Sequence, residues 1–184
     1  MQKLSMGDYH ILIRQEPDYD FNSSDNKCYD EILIVADEES YTKTISLIIE
    51  KEECLKKEIA LIVPYYTNTD RCALPAGNRV FLMLDNLICF FNLETLNIDK
   101  LLKINSIGTL FAPYSYGQDF ILYGEMDIFR ISSDLSIQWR ISGKDIFVKS
   151  NNAGPAFEMK DDRICLYDFE DNYYEISYDG KWIG

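Results

Sequence analysis

A chain of 184 residues can bury one sizeable core, so a single domain spanning residues 1–184 is the simplest expectation. Hydrophobic residues at 47% and charged residues at 27% exclude a disordered chain, and no apolar run approaches the ~20 residues of a membrane-spanning helix. A net charge of −13 excludes the Lys- and Arg-rich surface that phosphate contacts demand, which argues against direct nucleic-acid binding and makes a basic protein the complementary partner.

The opening MQKLSMGDYH lacks the apolar stretch of a secretory signal. The five cysteines, Cys28, Cys54, Cys72, Cys89 and Cys165, are odd in number and show no close metal-binding spacing. Together these predict a cytoplasmic protein with reduced thiols. Cys89 and Cys165 fall inside apolar strand patterns, where an unpaired cysteine packs as a small hydrophobe.

From Tyr9, YHILIRQ alternates as a strand with Ile11 and Ile13 on one face. The next segment, EPDYDFNSSDNKCYDE, is broken into a loop by Pro17, Asn22, Ser23, Ser24, Asp25 and Asn26. Asp18, Tyr19, Asp20 and Phe21 lie together on it, rings beside carboxylates, a combination suited to a cationic protein surface. The other reading is a solvated loop whose Tyr19 or Phe21 folds back onto a sheet.

ILIVA, Ile32 to Ala36, is apolar throughout, which predicts a strand covered on both faces. After the turn DEESYTK, the run TISLIIE (Thr44 to Glu50) is expected to pair with it. KEECLKKE reads either as a short amphipathic helical turn or as a charged hairpin tip, and IALIV (Ile59 to Val63) is a strand that Pro64 ends. Strands at 9–14, 31–36, 44–50 and 58–63 then make one sheet. YYTNTDRCALPAGN follows as a long connection presenting Tyr65 and Tyr66.

Three similar meanders occupy the rest. One runs from Arg79 through VFLML, LICFFNL and LNIDKLLKI, with turns at Asp85-Asn86 and Glu94-Thr95. The second, Asp119 to Lys144, turns at Gly124-Glu125 and at Ser132-Ser133-Asp134 and ends in a strand bearing Ile137, Trp139 and Ile141. The third runs from Arg163 through ICLYDF and YYEISY to KWIG, turning at Glu170-Asp171-Asn172 and Asp179-Gly180. Superposition places Leu93, Ile131 and Ile176 at equivalent strand ends, 38 and then 45 residues apart. Propeller blades repeat every ~40 to 50 residues, and closed propellers need ~4 to 8 of them. The expected fold is therefore all-β, antiparallel meanders forming an incomplete, half β-propeller of three to four blade-like sheets; the alternative is that the repetition is accidental. The separators NSIGTLFAPYSYGQ and KSNNAGPAFEMKDD would run between blades, with Phe111, Tyr114 and Tyr116 on the first.

No catalytic, cofactor or metal constellation is visible. His10 is the one histidine, and HExxH, CxxC and phosphate-loop motifs are absent. Carboxylate pairs occur at Asp161 and Asp162, at Asp168 with Glu170 and Asp171, and at Glu38 and Glu39, as they do in any acidic chain. DFEDN lacks the spacing of a calcium loop.

The pattern as a whole, with WRISGKDIFVKS around Trp139, Asp145 and Phe147 and with YYEISYDGKWIG, resembles immunity proteins of bacterial contact-dependent growth inhibition systems. The resemblance implies a half-propeller that neutralises a ribonuclease toxin domain by stoichiometric binding; it carries over no individual residue. A nuclease cleft that grips phosphate is cationic, and an acidic blocker complements it. The expected partner is a cognate basic toxin domain, with no membrane contact and the chain a monomer or weak dimer. The surface expected to bind it comprises Asp18, Tyr19, Asp20, Tyr65, Tyr66, Asp161, Asp162, Asp168, Glu170 and Asp171. The rival readings are a propeller-like binding scaffold without a toxin partner, and a carbohydrate-active enzyme with two convergent carboxylates.

Overall fold

Alternating residues punctuated by turn formers fold this chain into strands alone: the computed structural model describes residues 1–20, 23–24, 26–36, 41–150 and 154–183, and these hold sixteen strands and no helix. The strands gather into two compact units, Met1–Lys103 and Ile104–Gly184. Phe21, Asn22, Asp25 and the Glu38-Glu39 pair lie outside the described residues.

In the first unit, β1 (Gln2–Met6), β2 (Tyr9–Gln15), β3 (Glu31–Ile34), β4 (Thr42–Lys51) and β5 (Cys54–Pro64) form a sheet ordered β1-β2-β4-β5-β3. A second sheet runs in sequence order through β6 (Ala73–Ala76), β7 (Arg79–Leu84), β8 (Leu87–Asn92) and β9 (Asn97–Lys103). Period-two alternation turns Ile11, Ile13, Ile45, Leu47, Ile49, Ile59, Leu61 and Val63 of the first sheet onto Val80, Leu82, Leu84, Cys89 and Phe91 of the second. Each such aliphatic side chain contributes about 1.5–3 kcal/mol of burial.

Three expectations for this unit change. ILIVA is an edge strand rather than a strand covered on both faces: among the described residues β3 pairs only with β5, in parallel, and Ile32 and Ile34 are 42% and 63% exposed. The Thr44–Glu50 run pairs with β2 and β5 and not with ILIVA, because the excursion after β2 carries β3 round to the far side of β5. KEECLKKE takes the hairpin alternative: Glu52 and Glu53 form a two-residue turn between the paired Lys51 and Cys54, both at positive φ.

In the second unit, β10 (Leu110–Tyr116), β11 (Asp119–Gly124), β12 (Asp127–Ile131) and β13 (Ile137–Ser142) form one meander. A further sheet holds β14 (Phe157–Met159), β15 (Arg163–Tyr167) and β16 (Tyr173–Ser177). The terminal KWI lies against β16 as the start of a fourth strand, with Ile176 bridged to Trp182, Ser177 N–H donating to Lys181 C=O at 2.8 Å and Ile183 N–H to Glu175 C=O at 2.9 Å. Ile121, Ile128, Ile141, Phe147, Phe157, Ile164, Leu166 and Ile176 make the core.

The predicted frame holds: Leu93 follows β8, Ile131 closes β12 and Ile176 lies near the end of β16, each the third strand of its sheet. The segments read as connections contain the first strands of those sheets, β6, β10 and β14. Phe111, Tyr114 and Tyr116 accordingly stand on β10 and not on a separator.

Candidate protein-binding surface

The site is built at one end of the first sheet. β2 runs out at Gln15 opposite Ile45, and Glu16 N–H donates to Thr44 C=O at 2.9 Å. β4 begins at Thr42 opposite Pro64, the last residue of β5. The Asp18–Asp20 segment and Tyr65–Tyr66 therefore leave the sheet at the same end. Tyr41 leaves it there too, tied to Tyr65 by the Tyr65 N–H bond to Tyr41 C=O at 2.9 Å.

Three tyrosines are exposed at this end: Tyr41 by 89%, Tyr65 by 56% and Tyr66 by 68%. Tyr65 and Tyr66 meet edge to face with centroids 5.7 Å apart, and the Lys43 ammonium lies 5.8 Å from the Tyr65 ring centre. Burial pushes the pKa of Lys43 below its ordinary value. The loop that follows is pinned. Thr67 N–H donates to Pro64 C=O at 3.1 Å, and Asn68 accepts from Asp70 and Arg71. The Gln2 side chain accepts from Cys72 N–H at 2.8 Å and Ala73 N–H at 3.0 Å and donates to Ala73 C=O at 2.6 Å, an amide standing in for a strand pair. Rings mounted on a rigid loop lose little entropy when a partner covers them.

Asp18 and Asp20 are exposed beside this end. Their loop is held in shape: Tyr19 N–H donates to Glu16 C=O, Ser23 N–H donates to Asp20 C=O, and the Asn26 amide bonds both the N–H and the C=O of Asp20. Tyr19 itself is half-buried, edge to face against Tyr29 of the same excursion with ring centroids 5.4 Å apart. Burial, then the nearby Glu16 carboxylate, raises the Tyr29 phenol pKa. Tyr41 and the exposed Ile34 were not found from the sequence. The pairing of Tyr41 with Tyr65 and the edge position of Ile34 follow from strand register and order, which no local pattern reveals.

The carboxy-terminal acids do not form one patch. Asp161 and Asp162 lie in the turn before β15, whereas Asp168, Glu170 and Asp171 lie in the turn after it. At ~3.4 Å per residue the five residues of β15 hold these turns about 17 Å apart. Asp162 is committed to Arg163 at 2.7 and 2.9 Å, and that guanidinium, hydrogen-bonding it, holds its carboxyl below the ordinary range. Arg163 also binds Glu175 at 2.8 Å.

Asp168 is buried, 2% exposed, and is removed from the surface predicted for it. Its carboxylate accepts from Glu170 N–H at 3.0 Å, Asn172 N–H at 2.9 Å, the Asn172 amide at 3.0 Å and the Tyr174 hydroxyl at 2.7 Å. Burial alone would raise its pKa; the bonds from Asn172, Tyr174 and Glu170 outweigh it and hold the group below the ordinary carboxylate value. DFEDN is thus a turn closed by its own aspartate. Glu170 and Asp171 are exposed, and Ser150 donates to Asp171 at 3.2 Å.

The remaining chemistry-bearing residues are scattered. His10 is exposed, with its Nδ1 3.3 Å from Ser5 Oγ on the neighbouring strand. Cys72, Cys89 and Cys165 are buried and free, and burial pushes the Cys72 and Cys89 thiols up to about 12, so neither is a nucleophile near neutrality. Among the described residues no group of three or more His, Cys, Asp or Glu is placed to hold a metal ion.

No protein-family model matches the chain, and no curated protein matches it. Among solved structures it is similar to BamB from Moraxella catarrhalis, with a TM-score of 0.52 and 13% identity over 100% of this chain and 62% of that one. It is similar also to BBS1N, solved in complex with ARL6DN, with a TM-score of 0.50 and 13% identity over 78% of this chain and 48% of that one. The chain thus spans less than two-thirds of either neighbour's length. Both are β-propellers, and at this identity the likeness establishes fold alone: an all-β, propeller-like chain of four blade-like sheets, shorter than the propellers it resembles.

Proposed function

We propose that this chain is a protein-binding module that acts by occlusion, and that its partner is a basic toxic nuclease domain. The observation that carries the binding role is the tyrosine end of the first sheet: Tyr41, Tyr65 and Tyr66 exposed together on hydrogen-bonded supports, with Asp18 and Asp20 leaving the same end. Exposed rigid tyrosines flanked by carboxylates match the anchor-and-rim composition of protein interfaces. The net charge of −13 supports a cationic partner, and the likeness to immunity proteins in the WRISGKDIFVKS and YYEISYDGKWIG segments supports a toxin as that partner. The propeller neighbour solved in complex with ARL6DN lends the fold, though not this partner, a precedent for protein binding. An occluding complex would bury about 1,200–2,000 Å².

Co-expression with the toxin domain encoded beside its gene tests this reading. The wild-type chain is expected to restore growth, and a Tyr65→Ala/Tyr66→Ala variant of unchanged thermal stability to restore it poorly. Growth arrest with the wild-type chain, present at full level, would refute the toxin assignment.

A further inference from the structure

The outer edge of β3 is an open strand position with unusual chemistry. In its parallel pairing with β5, Val35 N–H donates to Ile62 C=O at 2.9 Å, and alternation then points the N–H and C=O of Ile32 and Ile34 away from the sheet. Among the described residues no strand covers that edge. Sheet edges are ordinarily guarded by charge, above all lysine. The outer strand of the second sheet follows this rule with Asp99, Lys100 and Lys103, whereas β3 presents Ile32-Leu33-Ile34 followed by Val35 and Ala36.

Both faces beside this edge are mainly apolar. Ile32 and Ile34 stand half-exposed or more on one side. On the other, Leu33, Val35, Ile98 and the 49% exposed Leu101, together with the polar Glu31 and Asn97, line a groove of about 410 Å³ between β3 and β9. A strand laid against β3 would drop alternate side chains into that groove and the others onto Ile32 and Ile34.

Charge selects the occupant. β3 carries no cation and Asp30 stands exposed at its start, while Glu31 is paired with Lys57 of β5 at 2.6 Å; the chain as a whole carries a net charge of −13. Pairing β3 with a second copy of itself would bring together two chains that each carry a net charge of −13, which opposes self-addition. A strand with alternating apolar residues and Lys or Arg at its ends meets complementary charge instead.

We propose that β3 is a strand-addition site that takes an extended, basic-ended segment of a partner protein by β-augmentation. The assignment rests on the reading of the chain as a binder of basic proteins and specifies how part of such a partner is held.

The test uses two labelled peptides, KRVTVTVKR and DEVTVTVDE, with fluorescence anisotropy against the full chain and amide exchange at Ile32 and Ile34. The basic-ended peptide is expected to bind at least about tenfold more tightly than the acid-ended one, and to slow exchange at both amides. Ile34→Pro removes an outward donor while leaving the bonds to β5, and should weaken that binding about tenfold or more. Ile34→Lys, which guards the edge by charge, serves as a second variant should the proline variant lose stability. Absence of binding, equal binding of the two peptides, equal binding by wild type and a folded edge variant, or a wild-type dimer abolished by Ile34→Lys would each overturn the proposal. Tyr65→Ala/Tyr66→Ala should leave peptide binding intact, so failure at β3 and failure at the tyrosine end are read separately.

Discussion

At the scale of single residues, two aspartates expected on the same binding surface have opposite tasks. Asp18 lies exposed on a held loop, whereas Asp168 is buried and satisfies four donors of its own turn. Removing the Asp168 carboxylate strands those donors, so Asp168→Ala should cost about 2–3 kcal/mol in urea unfolding, whereas Asp18→Ala should be neutral. Because the folded pKa of Asp168 lies below its unfolded value of ~3.9, its contribution is complete above that pH and is lost as pH falls through the folded value. The stability gap between wild type and Asp168→Asn should therefore narrow below about pH 4 and be constant between about pH 5 and 8. Gly180 is the other exacting residue: at φ +76° its Cα lies so close to Trp139 that a Cβ would come within 2.5 Å of the indole Cγ. Gly180→Ala should destabilise by about 1–3 kcal/mol. The part due to the clash should vanish in a Trp139→Ala background, as a double-mutant cycle would show.

At the scale of elements, alternation made strand positions legible and left strand order hidden. Val80 to Leu84, Leu87 to Leu93 and Phe120 to Ile131 announce themselves because each buries side chains in a sheet interior. ILIVA reads the same whether it is central or peripheral; what decides is the excursion from Glu16 to Asp30 that delivers it beside β5. The missed strands β6 and β10 contain Pro75 and Pro113, which read as breakers. Both strands stand at sheet edges, where a missing N–H costs no ladder bond. The candidate site was half legible for the same reason: Tyr65 and Tyr66 follow a strand end, but Tyr41 joins them only through register. The turn at Glu52-Glu53 offers a test of element design. Both residues sit at φ 51° and 62°, the left-handed region that Asn and Gly occupy at least cost. Glu52→Asn with Glu53→Gly should raise stability by about 0.5–1 kcal/mol, visible as a higher urea midpoint with unchanged slope.

At the scale of the whole molecule, some of the acid is spent inside the fold. Asp127 is buried against Arg140 at 2.9 Å and Ser142 at 2.6 Å, Asp119 binds Arg130 at 2.7 Å, and Asp168 closes its turn. On the proposed reading, the net charge is a long-range property that speeds encounter with a basic partner, and the tyrosines supply the contact that holds it. These roles separate in kinetics. Charge sets a salt-dependent association rate and the rings set the dissociation rate. The most direct test is stopped-flow or surface-resonance binding of the proposed partner, a basic nuclease toxin domain encoded beside the gene, to wild type, Asp18→Ala/Asp20→Ala and Tyr65→Ala/Tyr66→Ala across a salt series. The tyrosine variant is predicted to dissociate about tenfold or more faster at every salt concentration, and the aspartate variant to associate more slowly with a shallower salt slope. Binding by both variants with wild-type rates throughout would contradict the account.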